Sequence, residues 1–310
     1  MAHKALIFGS DNSCGELKPL YEREVKRGNL ELVTVEDAQT FSPGEADEVD
    51  FVIVSATKNF YSRVKLLETL GIPRSKIIDG RVFQTAGFDF PRFVEEGIAY
   101  GTLNRKAFKD KSRCIYQRVF SDDQMTLKLG AKSVIGGLKV HIRGDNFQNV
   151  RMKRIESLIT VGKFCAIAND IFCYMAQTKA HNYKTVTNYA LTKVDWEVPK
   201  RFLVQEGICE INIGNDVWLG GNCTLKSINP KKPLVIGDGA IVATDSVVVK
   251  SVPPYAIVGG NPAQVIKYRF PPDVIEAMLR IKWWDWSLDK IHDNFKYFNN
   301  IDKFISLHDK

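Results

Sequence analysis

The hydrophobic positions of this chain recur every six residues over its central part. Val161, Ile167 and Cys173 form one set, Ile213, Leu219 and Leu225 a second, and Ile236, Val242 and Val248 a third. A companion register lies two residues earlier in the first two sets, at Ile159, Cys165 and Ile171 and at Ile211, Val217 and Cys223. Small or turn-forming residues fill the gaps, as in Val-Gly-Lys-Phe-Cys-Ala (161–166) and Ile-Gly-Asn-Asp-Val-Trp (213–218). A helix repeats at about 3.6 residues and a strand at about 2, so neither alone gives this period. A coil with three flat faces does. Each face is one short strand and one tight turn, the apolar residue points to the axis, and Gly, Asn or Asp takes the corner where a positive φ is needed. The pattern predicts a parallel β-helix.

Residues 1–110 carry a different pattern, that of a small α/β unit. Strands are expected at Ala5–Phe8, Leu30–Val35 and Asp50–Ser55, the last an apolar run suited to burial on both faces, and Ile77–Ile78 opens a fourth. Helices are expected over Leu17–Arg27 and over Tyr61–Leu70, where Gly71 and Pro73 end the second. The order implies a short parallel sheet. Residues 80–120 are rich in aromatics and turn formers, and no element is assigned there. Irregular coils begin near residue 121: Leu129, Ile135 and His141 are six apart, as are Val134 and Val140, and His141 is expected at an inward or corner position. The regular coils run from about 155 to 252, with a long excursion from Gln177 to Gln205, and Pro253-Pro254 ends them. Val258–Ala263 reads as a loop. Two short helices follow, one starting at Pro272-Asp273 and one capped by Ser287. The organisation expected is a small N-terminal α/β domain (1–120), a β-helix domain (121–265) and a short C-terminal helical segment (266–310), a mixed fold class.

Composition narrows the chemistry. Of 310 residues, 25% are charged, with a formal net charge of +7. The basic residues are scattered, without a run of five like charges, which disfavours nucleic acid and favours a phosphate-bearing ligand. The six cysteines form no CxxC pair, and three fall on inward coil positions, a reduced, intracellular pattern. With no 18-residue apolar stretch and no signal-like start, the expected address is the cytoplasm, without membrane insertion.

The segment Ile-Gly-Asn-Asp-Val-Trp-Leu-Gly (213–220), then Val-Ile-Gly-Asp-Gly-Ala-Ile-Val-Ala (235–243) and Val-Pro-Pro-Tyr-Ala-Ile-Val-Gly-Gly-Asn-Pro-Ala (252–263), resembles the signature of hexapeptide-repeat acyltransferases. Lys-Tyr-Arg-Phe (267–270) and Trp-Trp-Asp-Trp (283–286) resemble the subgroup of xenobiotic acetyltransferases and nucleotide-sugar N-acyltransferases. The resemblance covers about residues 155–290. It implies a left-handed β-helix and a homotrimer with sites between subunits. It also implies acetyl-CoA or a longer acyl-CoA, such as hydroxybutanoyl-CoA, in the groove, and a loop histidine as base. With the N-terminal domain it implies a dTDP-, UDP- or GDP-linked amino sugar as acceptor, for surface polysaccharide biosynthesis. The alternatives are a small-molecule or antibiotic O-acetyltransferase of the same fold and a non-catalytic β-helix scaffold. A γ-type carbonic anhydrase would need three histidines, and the coil region offers His141 and His181 alone, so no metal is expected.

An amine attacking a thioester must shed a proton, and imidazole suits that task. His181, in Lys-Ala-His-Asn on the excursion, is the matching histidine. Asp170 or Asn169 could hold its other ring nitrogen, with Asp195 a weaker alternative, although Asn169-Asp170 reads equally as a corner turn. Trp218 lies between inward Val217 and Leu219 and should face outward, against a ligand or another subunit. Gly220 and Gly221 would admit a pantetheine chain, or serve as corners. The resemblance carries cofactor contacts onto Gly259, Gly260 and Asn261. Lys267 and Arg269, with Lys250 as another candidate, could neutralise phosphates, or be surface charges. Asp245 stands where the family often has a small residue and puts a negative charge on the expected path of CoA. The Gly9–Gly15 loop follows a strand, where α/β sheets place ligands, but matches no nucleotide motif.

Overall fold

The computed structural model describes residues 2–9, 12–36, 43–55, 59–122, 125–143, 157–176, 186, 209–227, 229 and 232–309. β1 (His3–Phe8), α1 (Asn12–Lys26), β2 (Leu30–Glu36), β3 (Phe51–Val54), α2 (Phe60–Thr69) and β4 (Ile77–Asp79) build a four-stranded sheet in the order β2-β1-β3-β4, every pairing parallel. Ala5–Phe8 and Val52–Val54 are buried, as central strands covered on both faces must be. The segment that the sequence left unassigned is organised by its rings. Phe83 stacks on Phe90, Phe88 packs edgewise on both, and Phe93 is tilted against Phe88. There α3 (Phe90–Glu96) is capped by the Asp89 carboxylate and stopped by Gly97. β5 (Ala99–Thr102), β6 (Phe108–Asp110) and β7 (Arg118–Ser121) then close the open end of the coil: β7 pairs antiparallel with the first coil strand and β6 with the second. Arg118 is fully buried and fixes this cap, donating to Ser112 Oγ (2.7 Å) and to the carbonyls of Gly130 (3.0 Å) and Ser133 (2.9 Å).

Four turns of one plan follow. They comprise β8 (Met125–Leu129) and β9 (Val134–Arg143); β10 (Ser157–Val161), β11 (Ala166–Ile167) and β12 (Ile171–Ala176); β13 (Cys209–Ile213), β14 (Trp218–Leu219) and β15 (Thr224–Ser227); and β16 (Leu234–Ile236), β17 (Ile241–Val242) and β18 (Val247–Val248). β19 (Ala256–Gly260) and β20 (Ala263–Tyr268) complete the stack. Parallel pairing runs down three faces: β8-β10-β13-β16 on the first; the start of β9, then β11, β14, β17 and β19 on the second; the rest of β9, then β12, β15 and β18 on the third. The six-residue sets all point inward and form one core, which includes Cys165, Cys173, Cys209 and Cys223.

The corners hold the turns in register. A Cβ on Gly162 would lie 2.5 Å from the Gly214 carbonyl oxygen of the next turn, so the backbones touch there and glycine is required. Beside it, Lys163 N donates to Asn215 Oδ1 (2.9 Å), while Asn215 N and Nδ2 donate to Asp238 Oδ1 (2.6 and 2.9 Å). Left-handed residues line two edges. On the edge between the first and second faces they are Lys132, Phe164, Asp216, Gly239 and Tyr255; between the second and third, Asp170, Asn222 and Asp245. Gly, Asn and Asp were expected. Lys132, Phe164 and Tyr255 depart from that: the Lys132 ammonium lies over the Phe60 ring (5.4 Å), and the two rings are packed, Phe164 against Trp283 (4.9 Å) and Tyr255 against Phe270 (5.8 Å). Burial offsets the roughly 1–2 kcal/mol of a left-handed conformation. α4 (Pro272–Ile281), α5 (Leu288–Asn294) and α6 (Ile301–His308) cover this first edge through the cluster around Tyr255, Met278, Trp284 and Phe304.

Four expectations are corrected. His141 faces outward, because the corner after Ile135 has two residues, Gly136-Gly137, where the next turn has three, Ala168-Asn169-Asp170. That one-residue difference puts Val140 opposite inward Cys173 and turns His141 out beside Tyr174. Pro253-Pro254 does not end the coil: β19 still pairs with β17, and the prolines occupy a corner against Gly237. The expected loop at Val258–Ala263 is a hairpin, with β19 and β20 joined through Asn261-Pro262. A third C-terminal helix, α6, joins the two expected.

Gly162→Ala should destabilise the protein by about 1–3 kcal/mol, the usual range for forced overpacking. Chemical denaturation would read this as a lower midpoint, and an unchanged midpoint would refute the corner contact.

Candidate functional site

With the first edge covered by helices, the edge between the second and third faces is where most of the singled-out residues come together. Asp170, Gly220-Gly221, Thr244-Asp245 and Gly259-Gly260 stack down it on successive turns: Asn222 N donates to Asn169 O, Asp245 N to Gly221 O, and Ala243 N to Val258 O. Trp218 projects from the adjoining second face, 55% exposed. It shares one cross-strand row with Ile241, Ile257 and Lys267. Ile266, 64% exposed and next to Gly259, extends this surface on β20. Exposed apolar rings and chains of this extent suit a ligand or another chain.

The two adjacent glycines differ. A Cβ on Gly220 would lie 2.6 Å from Thr244 N, so the stack itself requires glycine there. A Cβ on Gly221 would meet nothing nearer than Asn169 O at 3.7 Å, so the fold does not require glycine at that position. Gly260 has φ +96, and a Cβ on Gly259 would press on Ile266 (2.9 Å), so both serve the hairpin. The Asp245 carboxylate accepts from Asn222 Nδ2, and Asp170 is paired with Lys139 (3.1 Å), both partly tied to the edge. Arg269 is not part of this edge. It pairs with Asp216 (3.0 Å), donates to Gly239 O (2.7 Å) and lies over the Tyr255 and Phe270 rings, beneath the C-terminal helices. Burial raises the Asp216 carboxyl from its ordinary value, and Arg269 opposes that shift.

His181 and Asp195 lie outside the described residues. The strand leading toward His181, β12, ends at Ala176 on the opposite, third edge. On that edge the sequence reasoning missed two features. One is the outward pair His141 and Tyr174, hidden by the short glycine corner. The other is a cleft of about 360 Å³ lined by Lys226, Lys232 and Lys250 with no carboxylate among its described lining residues, an arrangement suited to an anion; of these the sequence reading singled out Lys250 alone. Burial pushes the Cys165 and Cys173 thiols up to about 12 and Cys209 up to about 11, so these cysteines do not serve as thiolate nucleophiles at neutral pH. Among the described residues, no group of three His, Cys, Asp or Glu is placed to hold a metal ion, and no helix is long and apolar enough to cross a membrane.

No family model matches the chain. It is similar to a probable macrolide acetyltransferase of Lysinibacillus sphaericus, 41% identical over 157 residues, which are 49% of this chain and 82% of that protein. It is also similar to a chloramphenicol acetyltransferase of Klebsiella aerogenes, 36% identical over 140 residues, 44% of this chain and 63% of that protein. The match therefore spans less than two thirds of the chloramphenicol enzyme. Among solved structures, AntD, an N-acyltransferase from Bacillus cereus in complex with dTDP and 3-hydroxybutyryl-CoA, superposes with a TM-score of 0.34 at 17% identity, over 63% of this chain and 96% of that one, a distant likeness.

Gly220→Ala should lower the thermal midpoint, and Gly221→Ala should leave it unchanged. Arg269→Ala should lower stability by about 1–3 kcal/mol, because Asp216 is left without its cation. If Arg269→Ala melts like the wild type, its structural assignment is wrong.

Proposed function

The chain belongs to the acetyltransferase family of its macrolide-acetyltransferase relative and is an acyltransferase, and from that premise we propose that it moves an acetyl or longer acyl group from CoA to the amine of a nucleotide-linked amino sugar. One observation favours this acceptor. The match takes in 82% of the macrolide enzyme but 49% of this chain, so about half of this chain is additional to the shared part. Outside the coil the chain also carries a four-stranded parallel sheet, with Gly9 directly after β1, where α/β sheets bind ligands. A unit of this kind beyond the coil suits a larger acceptor, such as a nucleotide-linked sugar. The second reading, O-acetylation of an antibiotic, is favoured by the names of the relatives, macrolide and chloramphenicol acetyltransferases.

In the proposed reaction the acceptor nitrogen attacks the thioester carbon, the C–N bond forms and the C–S bond breaks. His181 takes the amine proton and passes it to the departing sulfur. The pantetheine arm runs along the second edge past Gly221 and Trp218, with Lys267 toward the CoA phosphates. The coil is left-handed, and three copies assemble with sites between them. The units are residues 1–120, 121–265 and 266–310, and the protein works in the cytoplasm.

The deciding experiment is thiol release from acetyl-CoA and 3-hydroxybutanoyl-CoA across dTDP-, UDP- and GDP-linked amino sugars, with chloramphenicol and a macrolide beside them. Turnover of a nucleotide-linked amino sugar is expected; turnover of the antibiotics alone would establish the second reading. His181→Ala should lower kcat by roughly 10²–10⁴ with the assembly intact. Trp218→Ala should weaken CoA binding by calorimetry or dissociate the assembly by light scattering, and an effect on neither would remove Trp218 from the site.

A further inference from the structure

The third edge of the coil carries a ring platform flanked by cations. His141, Tyr174 and Lys226 are cross-strand neighbours on β9, β12 and β15, all facing outward. The His141 and Tyr174 rings stack, with centroids 5.2 Å apart and planes 26° apart, and Tyr174 lies nearly parallel to Phe172 (6.5 Å, 28°). None of the three rings belongs to the coil core, which is filled by the inward Val140, Cys173 and Met175. A cleft of about 410 Å³ opens above the platform, lined by Asn104, Lys106 and His141 among others. Below it, Lys226 leads into the second cleft with Lys232 and Lys250. Flat exposed rings attract the face of a ring, and ammonium groups beside them attract phosphate. His141 at the first cleft and Lys226 at the second stand two strand steps apart, about 10 Å, with Tyr174 between them.

We propose that this edge seats a nucleoside diphosphate, the nucleotide end of the acyl acceptor, with its base continuing the His141–Tyr174 stack on its free face and its phosphates toward the lysines that flank it. The assignment rests on the amino-sugar reading and deepens it. β12, which carries Tyr174, ends at Ala176, five residues before His181, a span of at most about 18 Å of extended chain. A nucleotide held here keeps the acceptor within reach of that residue. CoA also ends in a nucleotide, but the open Gly221 and exposed Trp218 lie on the other side of the third face.

The test is isothermal titration of the full chain with dTDP, UDP, GDP and adenosine 3′,5′-diphosphate, the nucleotide end of CoA. At least one of the first three should bind. Its Kd should rise about tenfold in Tyr174→Ala and in Lys226→Ala, and stay near wild type in Tyr174→Phe, which keeps the ring. The assignment is overturned if none of the three binds, if their Kd is unmoved in both alanine variants, or if adenosine 3′,5′-diphosphate alone responds, which would give the edge to CoA. Circular dichroism guards against misfolding, and Tyr174→Phe provides the folded control. Failure of the function reading looks different: diphosphate binding that depends on Tyr174, with no thiol release from any amino sugar.

Discussion

Everything in this molecule depends on how a flat strand is turned through a corner without losing contact with the turn below. The contact at Gly162 leaves no room for a side chain, and the Asn215–Asp238 ladder beside it satisfies backbone donors that the turn takes out of the strands. Once corners are this tight, each face holds two to six residues, and alternation fixes which of them enter the core. The three edges then diverge. The first places Phe164 and Tyr255 in left-handed positions and is sealed by helices that bury those rings. The second is built from small or short polar residues and stays open. The third is where β9, β12 and β15 end and the longer insertions leave the coil.

Most of the coil was legible because period six is a statement about corners, and corner residues are chemically distinctive. The inward cysteines followed directly. The N-terminal strands were legible for a different reason: Phe51–Val54 is apolar at every position, which only burial on both faces explains. The errors have physical causes. Gly136-Gly137 looks like any corner in sequence, and only pairing with the next turn shows that it is one residue short and that His141 is outside. The prolines after Val252 looked terminal, yet a corner needs no ladder donor, so proline is tolerated there. Residues 80–120 have no period because their order comes from rings packing on rings, contacts between positions with no fixed spacing.

The candidate site shows the limit of reading roles from motifs. Gly220 and Gly221 are indistinguishable in sequence, but Thr244 explains the first and nothing in the fold explains the second. Arg269 stands two residues after Lys267 in the same motif, yet its guanidinium is spent on Asp216 and the Gly239 carbonyl, while Lys267 lies in the exposed row with Trp218. A basic residue in a motif can be there to hold a corner. What separates the two roles is the partner, and partners come from other turns of the coil.

The placement of Asp170 bears on how the proposed site is assembled. It lies in the corner just before β12 and Ala176 is the last residue of that strand, so the two are separated by about 20 Å at the usual rise per residue. Asp170 is also paired with Lys139 on the neighbouring turn. For the Asp170 of a chain to orient the His181 of the same chain, the excursion would have to fold back across the whole third face, over the Phe172 and Tyr174 rings. A neighbouring copy removes that difficulty. If the third edge of one coil meets the second edge of the next, the thioester on one edge and the acceptor on the other arrive at the same place. A site divided between two edges of a rigid prism is therefore more simply completed by two prisms than by one, which is a geometric reason for the proposed assembly.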